Sequence, residues 1–417
     1  MKLSEVKKEF EKYIVIRDPW AVDLVLATLI GNALIPRDPL WTMLVAPSSG
    51  GKSTLLAPAV AVPAVYFLDD LTEKTFLSGY KIKGKESSLL KIIGSGVLCF
   101  SDFTSILSKN PMSRGEILGQ LRLIYDGVFS KRTGTGEITW RGKMGFLGAS
   151  TPDIYFQLEA SRSMGERFIY YTLEQPSDQE IVRKQESVSM SSREISEVMQ
   201  PYYKAYCESI REYVLKNELP DLKMTADQQE RVHRAAIFCV AAKATVHLDF
   251  KTAKPDALVN RPGVGRDRKM FNTLLHTLQL MDCHETGMKD ATLNDDRIAL
   301  VEKCAYSSVG RERRKILEIL TKYDTHMTAS QIGSTDDFGL QKDGVEKYLY
   351  VLNAVGLIQK DAGSNTHKWY IESDETKDFV RSVSGVKKEQ LTIADAEISD
   401  DDEEARKKSI KDFDDLP

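Results

Sequence analysis

The nine residues Ala46-Pro47-Ser48-Ser49-Gly50-Gly51-Lys52-Ser53-Thr54 constrain this chain more than any other stretch. An apolar run, Leu40 to Val45, precedes them, and Leu55-Leu56-Ala57 follows. Strand, glycine-bearing loop and helix, in that order, is the context a phosphate-binding loop needs. Gly50 and Gly51 let the backbone turn so that successive N–H groups converge on an anion. The next helix aims the positive end of its dipole at the same point. Lys52 is then placed to reach the β- and γ-phosphates of ATP, and the Ser53 hydroxyl to sit on Mg²⁺. Ser48, Ser49 and Thr54 complete the predicted nucleotide-binding set. The closing Gly-Lys-Ser-Thr matches the Walker A pattern, with Ala46 standing where that pattern opens on glycine. The bland alternative, a small-residue turn before a buried helix, leaves Lys52 and Ser53 at the motif spacing unexplained. A loop of this kind commits the chain to an α/β fold with a parallel sheet.

Four apolar residues, Val97 to Phe100, lead through Ser101 to Asp102. A carboxylate at such a strand end would hold Mg²⁺ through its water shell, the Walker B arrangement. Many such ATPases place a glutamate directly after the aspartate to activate the attacking water; here that position is Phe103. The base must then come from elsewhere, with Glu116 a guess, or hydrolysis is slow. Residues 113 to 127 read as a helix with Ile117, Leu118, Leu121, Ile124 and Tyr125 on one face. Alternating residues on both sides of Gly134-Thr135-Gly136 predict a hairpin. Lys131, Arg132 and Arg141 make it basic. It reads either as a solvated edge or as a grip on a nucleic-acid backbone. A further apolar strand, Met144 to Ala149, ends at Ser150-Thr151-Pro152. Thr151, or alternatively Ser150, can there hydrogen-bond the γ-phosphate or the water. Gly165-Glu166-Arg167-Phe168 then enters the strand Ile169-Tyr170-Tyr171, and Arg167 is a candidate finger for a neighbouring subunit's nucleotide. Its alternative is a surface arginine paired with Glu166.

These motifs occur in the order seen in AAA+ ATPases, and residues 40 to 175 resemble that family. A basic hairpin before the strand ending at Thr151 is similar to that of the minichromosome maintenance and superfamily 3 helicases. The chain thus resembles a replicative DNA helicase of the phage, plasmid or integrative-element type. That resemblance implies a hexameric ring with ATP between subunits and single-stranded or forked DNA in the channel. It puts the sensor on Thr151, the finger on Arg167 and the DNA grip on Lys131 and Arg132, with Arg141 beside them. It also implies an initiator, primase or single-strand-binding protein as partner.

Before the loop, residues 4 to 34 read as two helices, the second opened by Pro19. After the core, helices are expected over Ser177–Asn217, Ala226–Leu248, Asp267–Met281 and Asn294–Ala305, an all-helical lid spanning 176–308. Arg266 or Arg268, at the start of the third, would reach back to the phosphates; an exposed arginine at a helix start is an equal alternative. Gly263 and Gly265 do not make a dinucleotide fingerprint, because no strand precedes them. Residues 309–372 read as helix, helix, helix and two-stranded wing, a winged-helix pattern. Its third helix carries Lys342 and Lys347 but also Asp343 and Glu346, so a protein contact is as well supported as DNA. From 373 a disordered acidic tail is expected. The stretch from Ile393 has ten acidic and four basic residues; its −6 leaves the rest of the chain at +2 within a total of −4. That near-neutral body argues against an all-over basic coat and allows a local basic lining.

Five scattered cysteines without CxxC spacing fit reduced thiols, and Cys283-His284 is half a metal site without another half. No run is apolar enough to span a bilayer, and the N-terminus does not read as a signal peptide, so a soluble cytoplasmic protein is expected. Two other readings stay open. One is an ATP-switched, DNA-binding initiator, loader or regulator with weak hydrolysis, which Phe103 favours. The other is an AAA+ machine acting on protein.

Overall fold

The computed structural model describes residues 1–389 apart from 79–80, 83–84, 135, 156–166, 250–254, 261–262, 290, 336–341 and 362–366. The chain divides into two compact units, Met1–Ala236 with Gly263–Ser308, and Ile237–Pro262 with Val309 onward.

The first unit opens with α1 (Leu3–Tyr13) and α2 (Ala21–Leu34). Every residue of α2 from Ala21 to Gly31 is buried. A helix apolar on all sides belongs inside a core, and this one packs against the sheet. Then come β1 (Trp41–Val45), α3 (Lys52–Leu56), β2 (Val65–Phe67), the short ladder β3 (Lys81–Ile82) and β4 (Lys85–Glu86), and α4 (Leu89–Ile93). Next follow β5 (Gly96–Phe100), α5 (Thr104–Leu107), α6 (Pro111–Tyr125), the hairpin β6 (Val128–Thr133) and β7 (Gly136–Arg141), β8 (Met144–Ser150) and β9 (Ile169–Thr172).

Five of these strands form one parallel sheet in the order β2-β5-β8-β1-β9. β8 thus lies between β5 and β1, with Val45 opposite Ser150. Parallel strands end on a common edge, so the loop after β1, Asp102 after β5 and Thr151 after β8 leave the sheet side by side. β1 and β8 are buried at every position, as strands covered on both faces must be. Asn32 ties α2 to the start of β1: its amide nitrogen donates to the Leu40 carbonyl and its oxygen accepts the Leu40 N–H, both at 2.9 Å. The Lys143 ammonium donates to the carbonyls of Ile35 (2.7 Å) and Gly31 (3.3 Å), which satisfies the C-terminal end of α2.

The unit continues with α7 (Asp178–Ser187), α8 (Ser192–Asn217), the first part of α9 (Ala226–Lys243), α10 (Val264–Thr286) and α11 (Asp295–Tyr306). Two expectations need correction. The single helix over Ser177–Asn217 is two helices, because Ser177 with Glu180 and Ser191 with Glu194 each form a capping box that starts a new one. The helix expected to reach Leu248 stops at Lys243. Thr245–Leu248, with two β-branched residues, instead pairs antiparallel with Pro255–Asn260 as β10 and β11 in the second unit. Residues 176–308 are therefore not all helical, and contrary to expectation a strand, β11, does precede Gly263, although its antiparallel pairing is not the parallel βαβ setting of a dinucleotide fingerprint.

The second unit also holds α12 (Arg311–Tyr323), β12 (Met327–Thr328), α13 (Ala329–Gly333), α14 (Lys342–Ala354), β13 (Gln359–Lys360), β14 (Lys368–Tyr370) and α15 (Asp374–Ser384). Its sheet runs β12-β14-β13, with β12 a strand the sequence pattern did not suggest. α15 corrects the expectation of disorder from 373. Phe379 and Val380 are buried, and the Phe379 ring lies 4.5 Å from that of Phe238. Asp324, at φ 47°, accepts Lys377 (2.8 Å) in the first turn of the helix and Lys388 (2.7 Å) in the segment after it. The turn expected at Gly363-Ser364-Asn365 and the tail expected from 390 lie outside the described residues. Among the described residues no helix is long and apolar enough to cross a membrane.

Burial pushes the Lys143 ammonium from 10.5 down to about 8. Between those values the unfolded chain keeps a proton that the folded chain has released, so this lysine makes stability rise with pH there. Lys143→Met is expected to flatten that rise relative to wild type in thermal melts between pH 8 and 10.5. Parallel pH profiles for the two proteins would contradict the burial argument.

Candidate functional site

The loop after β1 turns tightly, the Gly50 N–H donating to the Pro47 carbonyl at 3.1 Å. Gly51, at φ 78°, sits just before α3, and Ser49 is also left-handed at φ 62°. A non-glycine residue held there costs on the order of 1–3 kcal/mol, strain that concentrates at functional sites. At Gly50 an added Cβ would lie 2.7 Å from the Gln175 side-chain oxygen and 2.9 Å from the Ala46 Cβ, so no larger residue fits without displacement. Ser48 is exposed, Thr54 is buried in the first turn of α3, and Ser53 is exposed.

Lys52 is 9% exposed. Its ammonium donates back to the loop carbonyls of Ala46 (2.7 Å) and Pro47 (2.6 Å). Burial lowers its pKa, and the charge of Asp102 pulls partly the other way. A desolvated ammonium whose hydrogen-bond acceptors are main-chain carbonyls is short of negative charge.

Asp102 is exposed beyond the end of β5, and its carboxylate accepts the Thr104 N–H at 2.9 Å. The Thr104 hydroxyl shares a hydrogen bond with the Ser150 hydroxyl (3.1 Å) and accepts the Thr151 N–H (3.4 Å). Thr104, which sequence reasoning missed, thus joins Asp102 to the end of β8. Ser150 is fully buried, whereas Thr151 is half-buried and donates to Asp153 at 3.2 Å. Of the two sensor candidates, Thr151 is the one solvent reaches.

Phe103 turns the opposite way from Asp102. Its N–H donates to the Ala149 carbonyl, and its fully buried ring lies 5.4 Å from Phe146 and 5.9 Å from Phe100 and Phe168. A side chain there faces the core and not the loop, which accounts physically for a ring where a base is common. Glu116 does not take over beside Lys52: it is exposed on α6, on a groove shared with Arg167 and Lys131.

Among the described residues no group of three or more His, Cys, Asp or Glu side chains could hold a metal ion. Asp102 and Ser53 alone fit Mg²⁺ only as it accompanies phosphates, with water and phosphate oxygens completing the octahedron. Cys283-His284 is an ordinary helix position: Cys283 is buried with its sulfur against the Lys289 carbonyl.

Beside the loop lies a cleft of about 200 Å³. Gly50, Gly51 and Thr54 form one side, Tyr13 and the 14–18 linker after α1 another, and Leu173–Pro176 with α7 and the start of α8 much of the rest. Arg17 pairs with Glu180, and Lys184 donates to the Glu11 carbonyl at 2.6 Å, so α7 is clasped to the linker by one and to the last turn of α1 by the other. Asp18 anchors the floor, accepting Tyr171 (2.5 Å) and Lys303 (2.8 Å). No motif marked these residues; the one clue was an apolar run, Ile14-Val15-Ile16, outside either flanking helix. Neither Arg266 nor Arg268 lines the cleft. Arg268 donates to the Gln229 carbonyl at 3.1 Å, and Arg266 is half-buried in the first turn of α10.

Arg167 lies at the opposite end of the sheet. It precedes β9 where β1 begins, since Ile169 pairs with Thr42. The Ala46–Thr54 loop leaves β1 at its other end, about 16 Å further along the strand. Arg167 is 8% exposed, over the Tyr125 ring and 3.4 Å from the Asp126 carboxylate. Gly165 and Glu166 lie outside the described residues.

The hairpin separates its three cations. Arg132 and Arg141 lie on its exposed face, with Glu137 opposite Arg132. Lys131 shares the other face with buried Phe129 and Trp140. No protein-family model matches the sequence, and no curated protein matches it significantly.

Phe103→Ala is expected to destabilise the protein by about 3–5 kcal/mol, the range for removing a buried ring. Denaturant unfolding at wild-type stability would contradict the core-facing assignment.

Proposed function

We propose that the chain is an ATP-hydrolysing, ring-forming DNA helicase or translocase of the AAA+ type that serves replication of a phage or mobile element. The observation that carries this reading is the common edge of β1, β8 and β5, where buried Lys52, Thr151 and exposed Asp102 converge. Ser48 to Thr54 would wrap the phosphates, and Lys52 would exchange its carbonyl partners for the β- and γ-phosphate oxygens. Ser53 and Asp102 would hold Mg²⁺, which supplies charge neutralisation at the phosphates when bound. The cleft of about 200 Å³ is smaller than the roughly 300–1,000 Å³ of a drug-sized site and suits a base, with the phosphates outside it on the loop. Thr151 would orient the attacking water.

Arg167 stands too far along the strand to serve its own chain's loop. A finger role therefore requires a second copy, preferably as a closed ring. Its contact with Asp126 is long for a charged hydrogen bond. Arg132 and Arg141 would meet DNA phosphates, with affinity that falls as salt rises. A second reading, an ATP-switched initiator or loader that turns over slowly, is favoured by the core-facing Phe103, which leaves no base directly after Asp102.

Arg167→Ala and Lys52→Ala should each be nearly inactive alone, since a finger is worth about 10³–10⁵ in rate. Mixing them in equal amounts pairs an intact loop with an intact finger at roughly a quarter of interfaces and should restore ATP turnover. No recovery on mixing, with both variants folded, would contradict action in trans.

A further inference from the structure

Lys131 spends its charge inside the protein. Its ammonium donates to the Glu73 main-chain carbonyl at 2.9 Å, across 58 residues of sequence. The same carbonyl accepts the Gln120 side-chain amide of α6, also at 2.9 Å. Glu73 belongs to the loop after β2, which is fixed in turn to the segment after Asp102: Asp70 pairs with Lys109 at 2.8 Å. The Glu73 carboxyl is held below its usual range, chiefly by a hydrogen bond from Ser113, with Lys109 and Lys131 adding to it. Arg114 donates to the Leu107 carbonyl at 2.9 Å and closes α6 onto α5.

We infer that Lys131 is a positioning residue, a latch that fastens the β6–β7 hairpin to the 70–73 loop and thereby to the element that carries Asp102. DNA contact falls to the other face, to Arg132 and Arg141. The second part rests on the function proposed above; the latch itself does not. The alternation of side chains across the hairpin enforces the division, because Lys131 and Arg132 are neighbours in sequence and must point to opposite faces.

Amide hydrogen exchange on the full chain, without nucleotide or DNA, tests the latch. Lys131→Ala should speed exchange about tenfold in residues 128–134 and 71–75 together, a local opening, while Arg132→Ala leaves both segments as in wild type. Wild-type rates in both segments of Lys131→Ala would overturn it. The salt dependence of binding to a forked oligonucleotide separates the two claims, since each phosphate contact contributes about 0.7–0.9 to the slope. Arg132→Ala and Arg141→Ala should each lower the slope, and Lys131→Ala should not. A slope lost equally in Lys131→Ala would overturn the division between the faces and leave DNA binding standing. If no variant moves the slope, the hairpin's DNA role fails, and the exchange rates still decide the latch.

Discussion

A positive charge held almost out of water, with main-chain carbonyls as its hydrogen-bond acceptors, governs this protein. Among the described residues no carboxylate forms an ion pair with Lys52, and burial is the larger influence on its proton affinity. Leaving a cation in that state opposes folding, as does the left-handed backbone at Ser49. In the function proposed above, an anion with several oxygens would neutralise the first and offset the cost of the second. The rest of the first unit holds the loop in that unsatisfied form. Asn32 fixes the start of β1, buried α2 backs the sheet, and Gln175 covers Gly50.

The strand order then determines what can cooperate with that loop. Because β8 enters between β1 and β5, Thr104 can join Asp102 to Ser150 and Thr151 through single hydrogen bonds. The aromatic cluster of Trp41, Phe100, Phe103, Phe146 and Phe168 fills the space beneath. Phe103 adjoins Asp102 and Phe168 adjoins Arg167, so one packed core sets the positions of a carboxylate and an arginine that emerge at opposite ends of the sheet. That separation gives the proposed function its dependence on a second subunit.

Much of this was legible in the sequence because local chemistry forces it. A glycine pair before Lys-Ser, an apolar run into Asp102 and alternation around Gly134 each admit few backbone solutions. What escaped depends on contacts between distant residues. The lining of the cleft draws on residues 13–18 and α7, which no spacing rule relates. The latch of Lys131 on Glu73 spans 58 residues, and three nearby cations look alike until the pleat assigns them to faces. α15 was missed because its stripe is short and flanked by charge, and Asp324 with Phe238 supplies what the helix lacks alone. The overlong helix to Leu248 failed where Thr245 and Val246 prefer a strand.

Calorimetric titration of the full chain with ATP and Mg²⁺, beside Lys52→Ala, addresses the central claim most directly. The account predicts saturable binding by the wild-type chain, heat that depends on the triphosphate, and loss of binding in the variant while its fold is retained. Equal binding by both proteins, or none by a folded wild type, would contradict it.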